Sequence, residues 1–151
     1  MLTVATNYFG LSLNDRLCVK IRDGIDYLAD CVTNGQRFQS ILFDVDSKDP
    51  TLDMSCPPQA FVQRRVLQHA RTLLGTEGSF ILNLVCRDES LRAKVLDELK
   101  RVFRFVLPYK LEEYVNEVFY CADSAALDSA KKWQINSLAR RNKFVKQFSI
   151  L

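Results

Sequence analysis

Residues 38–50 read Phe-Gln-Ser-Ile-Leu-Phe-Asp-Val-Asp-Ser-Lys-Asp-Pro, an apolar run that passes within two positions into a string of carboxylates. The run Ile41-Leu42-Phe43 suits a strand buried on both faces, as strands of parallel sheets are, and places a strand over Phe38 to Val45. On its amino side, Asp23 to Val32 has helical spacing, with Ile25, Leu28 and Val32 on one face and Asn34-Gly35 as its stop. On its carboxyl side, a loop from Lys48 to Pro58 leads into a helix over Gln59 to Leu74, closed by Gly75. Phe61, Val62, Val66, Leu67, His69, Ala70 and Leu73 form the inner face of that helix.

The same alternation continues outward. Ser79 to Cys86 is the most hydrophobic strand of the chain, and Asp88 caps a helix with the stripe Leu91, Val95, Leu96 and Leu99. Arg104 to Leu111 and Val115 to Ala122 are two strands split by Glu112-Glu113-Tyr114, too short a link for a crossover helix, so an antiparallel hairpin is predicted. Before residue 23 the pattern gives a helix ending at Gly10 and a short strand over Leu17 to Ile21. After residue 122 it gives a helix over Ser124 to Arg140. Strand-helix alternation followed by a hairpin predicts an α/β domain with a mainly parallel sheet. In such sheets ligands bind beyond the carboxyl ends of the strands.

Bulk properties narrow the function. The chain has 151 residues, which suits one domain, with 48% hydrophobic and 26% charged residues. All the acids lie at or before Asp128, and six basic residues follow them, which sets residues 123–151 apart as a basic C-terminal helix and tail. Such a tail is an ordinary solvated helix face or an attractor of acidic surfaces. No aromatic RNA-binding signature accompanies it, so nucleic acid is not predicted as a partner. The five cysteines are scattered and form no C-x-x-C pair. With no secretory signal and no membrane-length apolar run, reduced thiols in the cytoplasm are predicted. His69 is the only histidine, so zinc or Cys-His chemistry has no ligand set and no metal site is predicted.

Chemistry therefore concentrates after the strands, at Asp23-Gly24, at Asp44, Asp46 and Asp49, and at Asn83 to Asp88. Clustered carboxylates repel one another. They suit a divalent metal, a solvated capping loop, or a site facing a cationic substrate such as an amine.

Asp46-Ser-Lys-Asp-Pro50 resembles the D-[ST]-x-D-P signature of spermidine synthases, and Asp23-Gly24 resembles the step whose acid meets the adenine amino group in that fold. Four longer stretches are similar to the C-terminal, spermidine-synthase-like domain of the elongation factor 1-alpha lysine and N-terminal methyltransferase family. They are residues 1–29, 43–58 (FDVDSKDPTLDMSCPP), 78–88 (GSFILNLVCRD) and 115–121 (VNEVFYC). The resemblance covers residues 1–122. It implies a class I (Rossmann-like) fold, S-adenosylmethionine as donor, and the N-terminal α-amine of elongation factor 1-alpha as acceptor, lysine methylation being the task of a separate domain. It implies Asp23 and Gly24 as cofactor-binding residues. Matching D-S-K-D-P selects Asp46 as the catalytic carboxylate with Asp49 second, whereas counting from the strand end selects Asp44.

The family fold has strand order 3-2-1-4-5-7-6, with a glycine-rich turn after its first strand and an acid after its second. The glycines here (10, 24, 35, 75 and 78) make no G-x-G. The resemblance thus implies a partial fold with its first two strands missing, and a fragment with little activity alone. An aminopropyltransferase of polyamine synthesis is the alternative enzyme, but Thr51 to Cys56 stands where the synthases carry Gly-Pro. A non-catalytic binding module is the third reading.

Overall fold

The strand Ser79–Cys86, β3, lies at the centre of the sheet and organises it. The computed structural model describes residues 2–49, 51–110 and 115–124. Its other elements are helices α1 (Leu2–Phe9), α2 (Gly24–Thr33), α3 (Arg64–Leu74) and α4 (Glu89–Val102), and strands β1 (Ser40–Phe43), β2 (Met54–Cys56), β4 (Phe105–Lys110) and β5 (Asn116–Ala122). A 3-10 turn at Gln59–Val62 precedes α3. The five strands form one sheet in the order β1-β3-β5-β4, with β2 also paired to β3. β1 lies parallel to β3 with Phe43 opposite Leu82, and β5 lies antiparallel to β3 with Asn116 opposite Val85. Because β5 fills one flank of β3, β1 and β2 share the other. β1 covers Ser79 to Leu82, and β2 returns antiparallel beside Val85 and Cys86.

Alternation along β3 directs Phe80, Leu82 and Leu84 into the core, where each is essentially inaccessible to solvent. α3 and α4 meet them with Val66, Leu67, Ala70, Leu73, Val95 and Leu99. Of the stripe read from Phe61 to Leu73, Val66, Leu67, Ala70 and Leu73 of α3 and Val62 of the 3-10 turn are buried, Leu74 is added, and Phe61 and His69 are only half-buried. Phe80 stacks on Phe103 at 5.2 Å and meets Phe43 edge-on at 4.9 Å. Each such ring contributes roughly 1.5–3 kcal/mol relative to exposure. The turn from α3 into β3 admits only glycine at position 78, where a Cβ would stand 2.6 Å from the Leu74 carbonyl oxygen.

Asp23 and Asp88 cap α2 and α4, and the β4–β5 hairpin is antiparallel as the spacing predicts. Four expectations change. The helix read over Gln59 to Leu74 divides at Gln63, whose backbone is extended, into the 3-10 turn and α3. The sheet is mixed and not mainly parallel, with one parallel pairing, β1 with β3, among four. The reason is that β4, which runs in the same direction as β3, docks one place away, and the returning β5 fills the gap between them. Leu17 to Ile21 forms no strand beyond a single bridge between Asn14 and Leu17. It finds no ladder partner among the described residues, and a lone strand cannot satisfy its backbone. The loop after Lys48 contains β2, whose pairing is set by the edge of β3 and not by local pattern. The Glu112-Glu113-Tyr114 link and the predicted helix beyond Ser124 lie outside the described residues.

A nearly buried ion pair fastens α4 to the sheet. Arg92 grips Glu117 of β5 bidentately, with Nε–Oε2 at 2.6 Å and Nη2–Oε1 at 2.7 Å. Glu117 is 6% exposed. Removing one partner of such a pair strands the other charge, although Arg92 retains a route to solvent. Glu117→Ala is therefore expected to lower unfolding stability by about 2 kcal/mol, below the roughly 3–5 kcal/mol of a fully buried pair. Urea denaturation checks this, and an unchanged midpoint would contradict it.

Candidate functional site

The site begins where β1 ends. Phe43 turns its ring into the core between Phe80 and Phe61, the latter edge-on at 5.6 Å and 88°. With residue 43 fixed inward, residue 44 is directed to the opposite face. There Asp44 lies beside Asn83, the residue after Leu82, which is the register partner of Phe43. Asn83 Nδ2 donates to Asp44 Oδ1 at 2.8 Å, and Asn116 Nδ2 of β5 donates to Asn83 Oδ1 at 3.1 Å. Asn116 shares that face because it stands opposite Val85, two residues from Asn83. Three strands thus contribute one line of polar side chains.

β2 adds a thiol to this line. Cys56 Sγ lies 3.7 Å from Asp44 Oδ1 and 3.5 Å from the Asn83 carbonyl oxygen, so its single S–H is shared between these two acceptors. Burial first, then the charge of Asp44, pushes the Cys56 thiol from 9.0 up to about 11. It stays protonated at neutral pH and keeps its donor. Asp44 therefore has one oxygen, Oδ1, held by Asn83 and Cys56, while Oδ2 has no hydrogen-bond partner among the described residues.

The other two aspartates take different positions. Asp46 Oδ1 accepts from the Lys48 amide at 3.0 Å, and Lys48 adopts a positive φ of 58°. Asp49 Oδ1 accepts from both the amide and the hydroxyl of Thr51, and these bonds hold its carboxyl below the usual range. Ser47 is tied to β2 through its amide and the Ser55 carbonyl at 2.8 Å. Asp46 and Asp49 share an open recess of about 340 Å³ with Lys48, Ser55 and Arg87. The loop thus separates its carboxylates: Asp44 against the strands, Asp46 and Asp49 around the recess. Among the described residues no three His, Cys, Asp or Glu side chains are grouped to hold a metal ion.

Asp23 and Gly24 lie at the same end of the sheet. Asp23 Oδ1 accepts from the amides of Ile25 and Asp26 at 2.8 and 3.0 Å, an N-cap. A Cβ on Gly24 would stand 3.3 Å from the Phe61 ring, and Phe61 packs on Phe43. The α2 N-terminus is thereby held beside the carboxyl end of β1. Asp23 Oδ2 has no hydrogen-bond partner among the described residues, so the side chain can cap its helix and still accept from an amino group.

The sequence places Asn83 in the stretch Asn83 to Asp88 where chemistry is expected, but passes over Cys56 and Asn116. Asn83 offered a signal, as the one amide side chain in the apolar strand Ser79–Cys86. Cys56 and Asn116 offered none, because their roles depend on pairings between distant strands.

No protein-family model matches the chain. The eEF1A lysine and N-terminal methyltransferase homolog of Drosophila melanogaster is 48% identical over 136 residues, covering 90% of this chain and 20% of that protein. The human eEF1A lysine and N-terminal methyltransferase is 51% identical over 124 residues, covering 80% and 18%. The chain therefore spans about one fifth of the length of the curated relatives it matches. Human methyltransferase-like protein 13, in its crystal structure in complex with SAH, superposes with a TM-score of 0.77 at 47% identity. That match covers 82% of this chain and 57% of the other. No described helix is long and apolar enough to cross a membrane.

The thiol geometry gives a chemical check. A native pKa raised to about 11 means that the unfolded chain ionises first. The stability tied to that thiol is complete below pH 9.0 and is lost as pH rises from there to about 11. At pH 8 iodoacetamide is expected to label exposed Cys18 first and to spare folded Cys56 and Cys121. Peptide mapping by mass spectrometry reads the order. Labelling of Cys56 at the rate of Cys18 would contradict the packing of that thiol against Asp44.

Proposed function

We propose that this chain, a homologue of the eEF1A lysine and N-terminal methyltransferases, carries the acceptor side of an S-adenosylmethionine-dependent protein methyltransferase site. Its acceptor is the N-terminal α-amine of elongation factor 1-alpha. The observation that carries this reading is the half-held carboxylate of Asp44, with Oδ1 fixed by Asn83 and Cys56 and Oδ2 open at the carboxyl end of β1. A carboxylate in that state can accept a hydrogen bond from an amine and orient its lone pair. It also offsets the charge that develops as nitrogen gains a fourth substituent. Asp46, on the same loop, is the second such group and the one matched by the D-S-K-D-P signature.

The donor supplies an electrophilic methyl group on a sulfonium, and the residues of this chain have two tasks. Asp23 and Gly24 offer the adenine end an acceptor oxygen and a backbone without a Cβ beside Phe61. The aspartates align the amine for in-line attack, a step in which positioning contributes much of the rate. An α-amine titrates near 8 and a lysine side chain near 10.4, about two units higher. Orientation without a strong base therefore suits the former.

The test joins this chain behind the preceding part of the human relative's domain and assays methylation of an elongation factor N-terminal peptide. Asp46→Ala is expected to reduce turnover by roughly 100- to 10,000-fold with little change in cofactor affinity. Asp44→Ala should act similarly and Asp49→Ala less, while Asp53→Ala, whose contact in the fold is through its carbonyl, should be nearly silent. Full activity in the Asp44→Ala, Asp46→Ala double variant would overturn the reading.

A further inference from the structure

The recess beside the aspartates holds more charge than an amine needs. Two carboxylates, Asp46 and Asp49, line it together with two cations, Lys48 and Arg87. Opposite charges confined to one surface depression ordinarily pair. Here none of the four makes an ion pair within 4.0 Å among the described residues. The two carboxylates are instead turned to other partners. Asp46 turns back on the Lys48 amide and Asp49 on Thr51. The Arg87 amide is bound to the Asp53 carbonyl oxygen at 2.7 Å, which anchors its backbone to the start of β2. Among the described residues its guanidinium makes one hydrogen bond, a long 3.4 Å one from Nη1 to the Leu52 carbonyl oxygen. A guanidinium carries five donors in a planar fork that matches a carboxylate. At Arg87 four of the five have no hydrogen-bond partner among the described residues, and the residue lines the open recess.

Cations kept apart from neighbouring carboxylates suit a ligand that itself carries both signs. We infer that Arg87, assisted by Lys48, is a specificity-determining group that binds an acidic side chain in the residues directly following the acceptor amine, while Asp44 and Asp46 take the amine itself. The preferred acceptor class is thus a peptide with a free N-terminus and a carboxylate side chain within its first few positions. This rests on the α-amine reading above and narrows it, because an α-amine with no nearby carboxylate would leave Arg87 unpaired. The contact is solvent-exposed, so its effect is selective and not absolute.

The test measures binding of short fluorescent peptides to the full chain by anisotropy. Each peptide carries a free or acetylated N-terminus and Glu, Gln or Lys at position 2, 3 or 4. The expected result is amine-dependent binding in which Glu at one position is preferred about tenfold over Gln, the size of a good charge-assisted hydrogen-bond pair at a partly hydrated site. Arg87→Gln should abolish that preference, and Arg87→Glu should transfer it to the Lys peptide. Lys48→Asn, a residue that tolerates the positive φ at this position, should weaken the preference without reversing it. Amine-dependent binding that is indifferent to Glu, Gln and Lys would overturn the inference and leave the α-amine reading intact. A preference for Lys in the unaltered chain would also overturn it, because the aspartates would then dominate the recess. Binding unaffected by acetylation would overturn the α-amine reading as well.

Discussion

Everything at the site depends on the direction in which Phe43 points. Its ring is held edge-on by Phe61 on one side and Phe80 on the other, and this contact stops β1 with residue 43 in the core and residue 44 outside it. The side-chain period of a strand is two, so a slip of one residue would bury Asp44 and expose Phe43. Burying an unpaired carboxylate costs far more than burying a ring contributes. Register is therefore enforced at the point where the chemistry begins. The same ring sets the position of Phe61, which packs on Gly24 and brings the capped end of α2 to the site. One aromatic cluster thus positions both the residues proposed for the acceptor and those proposed for the donor.

The polar line Asp44–Asn83–Asn116 follows from that register. Asp44 directly follows β1, Asn83 lies on β3 and Asn116 on β5, and the hydrogen bonds run across from one to the next. Cys56 adds a donor that stays protonated because it is buried. A carboxylate with one oxygen satisfied and one open is stiffer than a solvated aspartate, and stiffness serves a reaction whose catalysis is mostly alignment. Asp46 and Asp49 are exposed and bonded mainly within their own loop. Asp46 stands with Asp44 as a group proposed for the amine, and Asp49, both of whose bonds go to Thr51, is the one suited to parts of a ligand beyond the reacting atom.

Much of this was legible in the sequence because local patterns carried it. The apolar strand Ser79–Cys86, the cap Asp88, and the short link before β5 each have a signature a few residues long. The aspartate string was visible for the same reason. That Leu17 to Ile21 forms no strand was not legible, since a strand exists only where a partner does. β2 was hidden in a proline-containing loop, because only the free flank of β3 turns Met54–Cys56 into a strand. The mixed sheet was missed because helix alternation predicts the direction of β4 but not that β5 inserts between it and β3. Cys56 and Asn116 belong to the site only through those pairings, whereas Asn83 announced itself as an amide in an apolar run.

The central claim is that an α-amine is received by Asp44 and Asp46 with Asn83 behind them. The most direct measurement follows the side-chain carboxyl and amide NMR resonances of the isotopically labelled chain as a peptide with a free N-terminus is added, and then the same peptide acetylated. The account predicts that the Asp44 and Asp46 carboxyl signals and the Asn83 side-chain amide move with the free peptide and stay in place with the acetylated one. Shifts that ignore acetylation, or that fall on other carboxylates and leave these three groups unmoved, would contradict it.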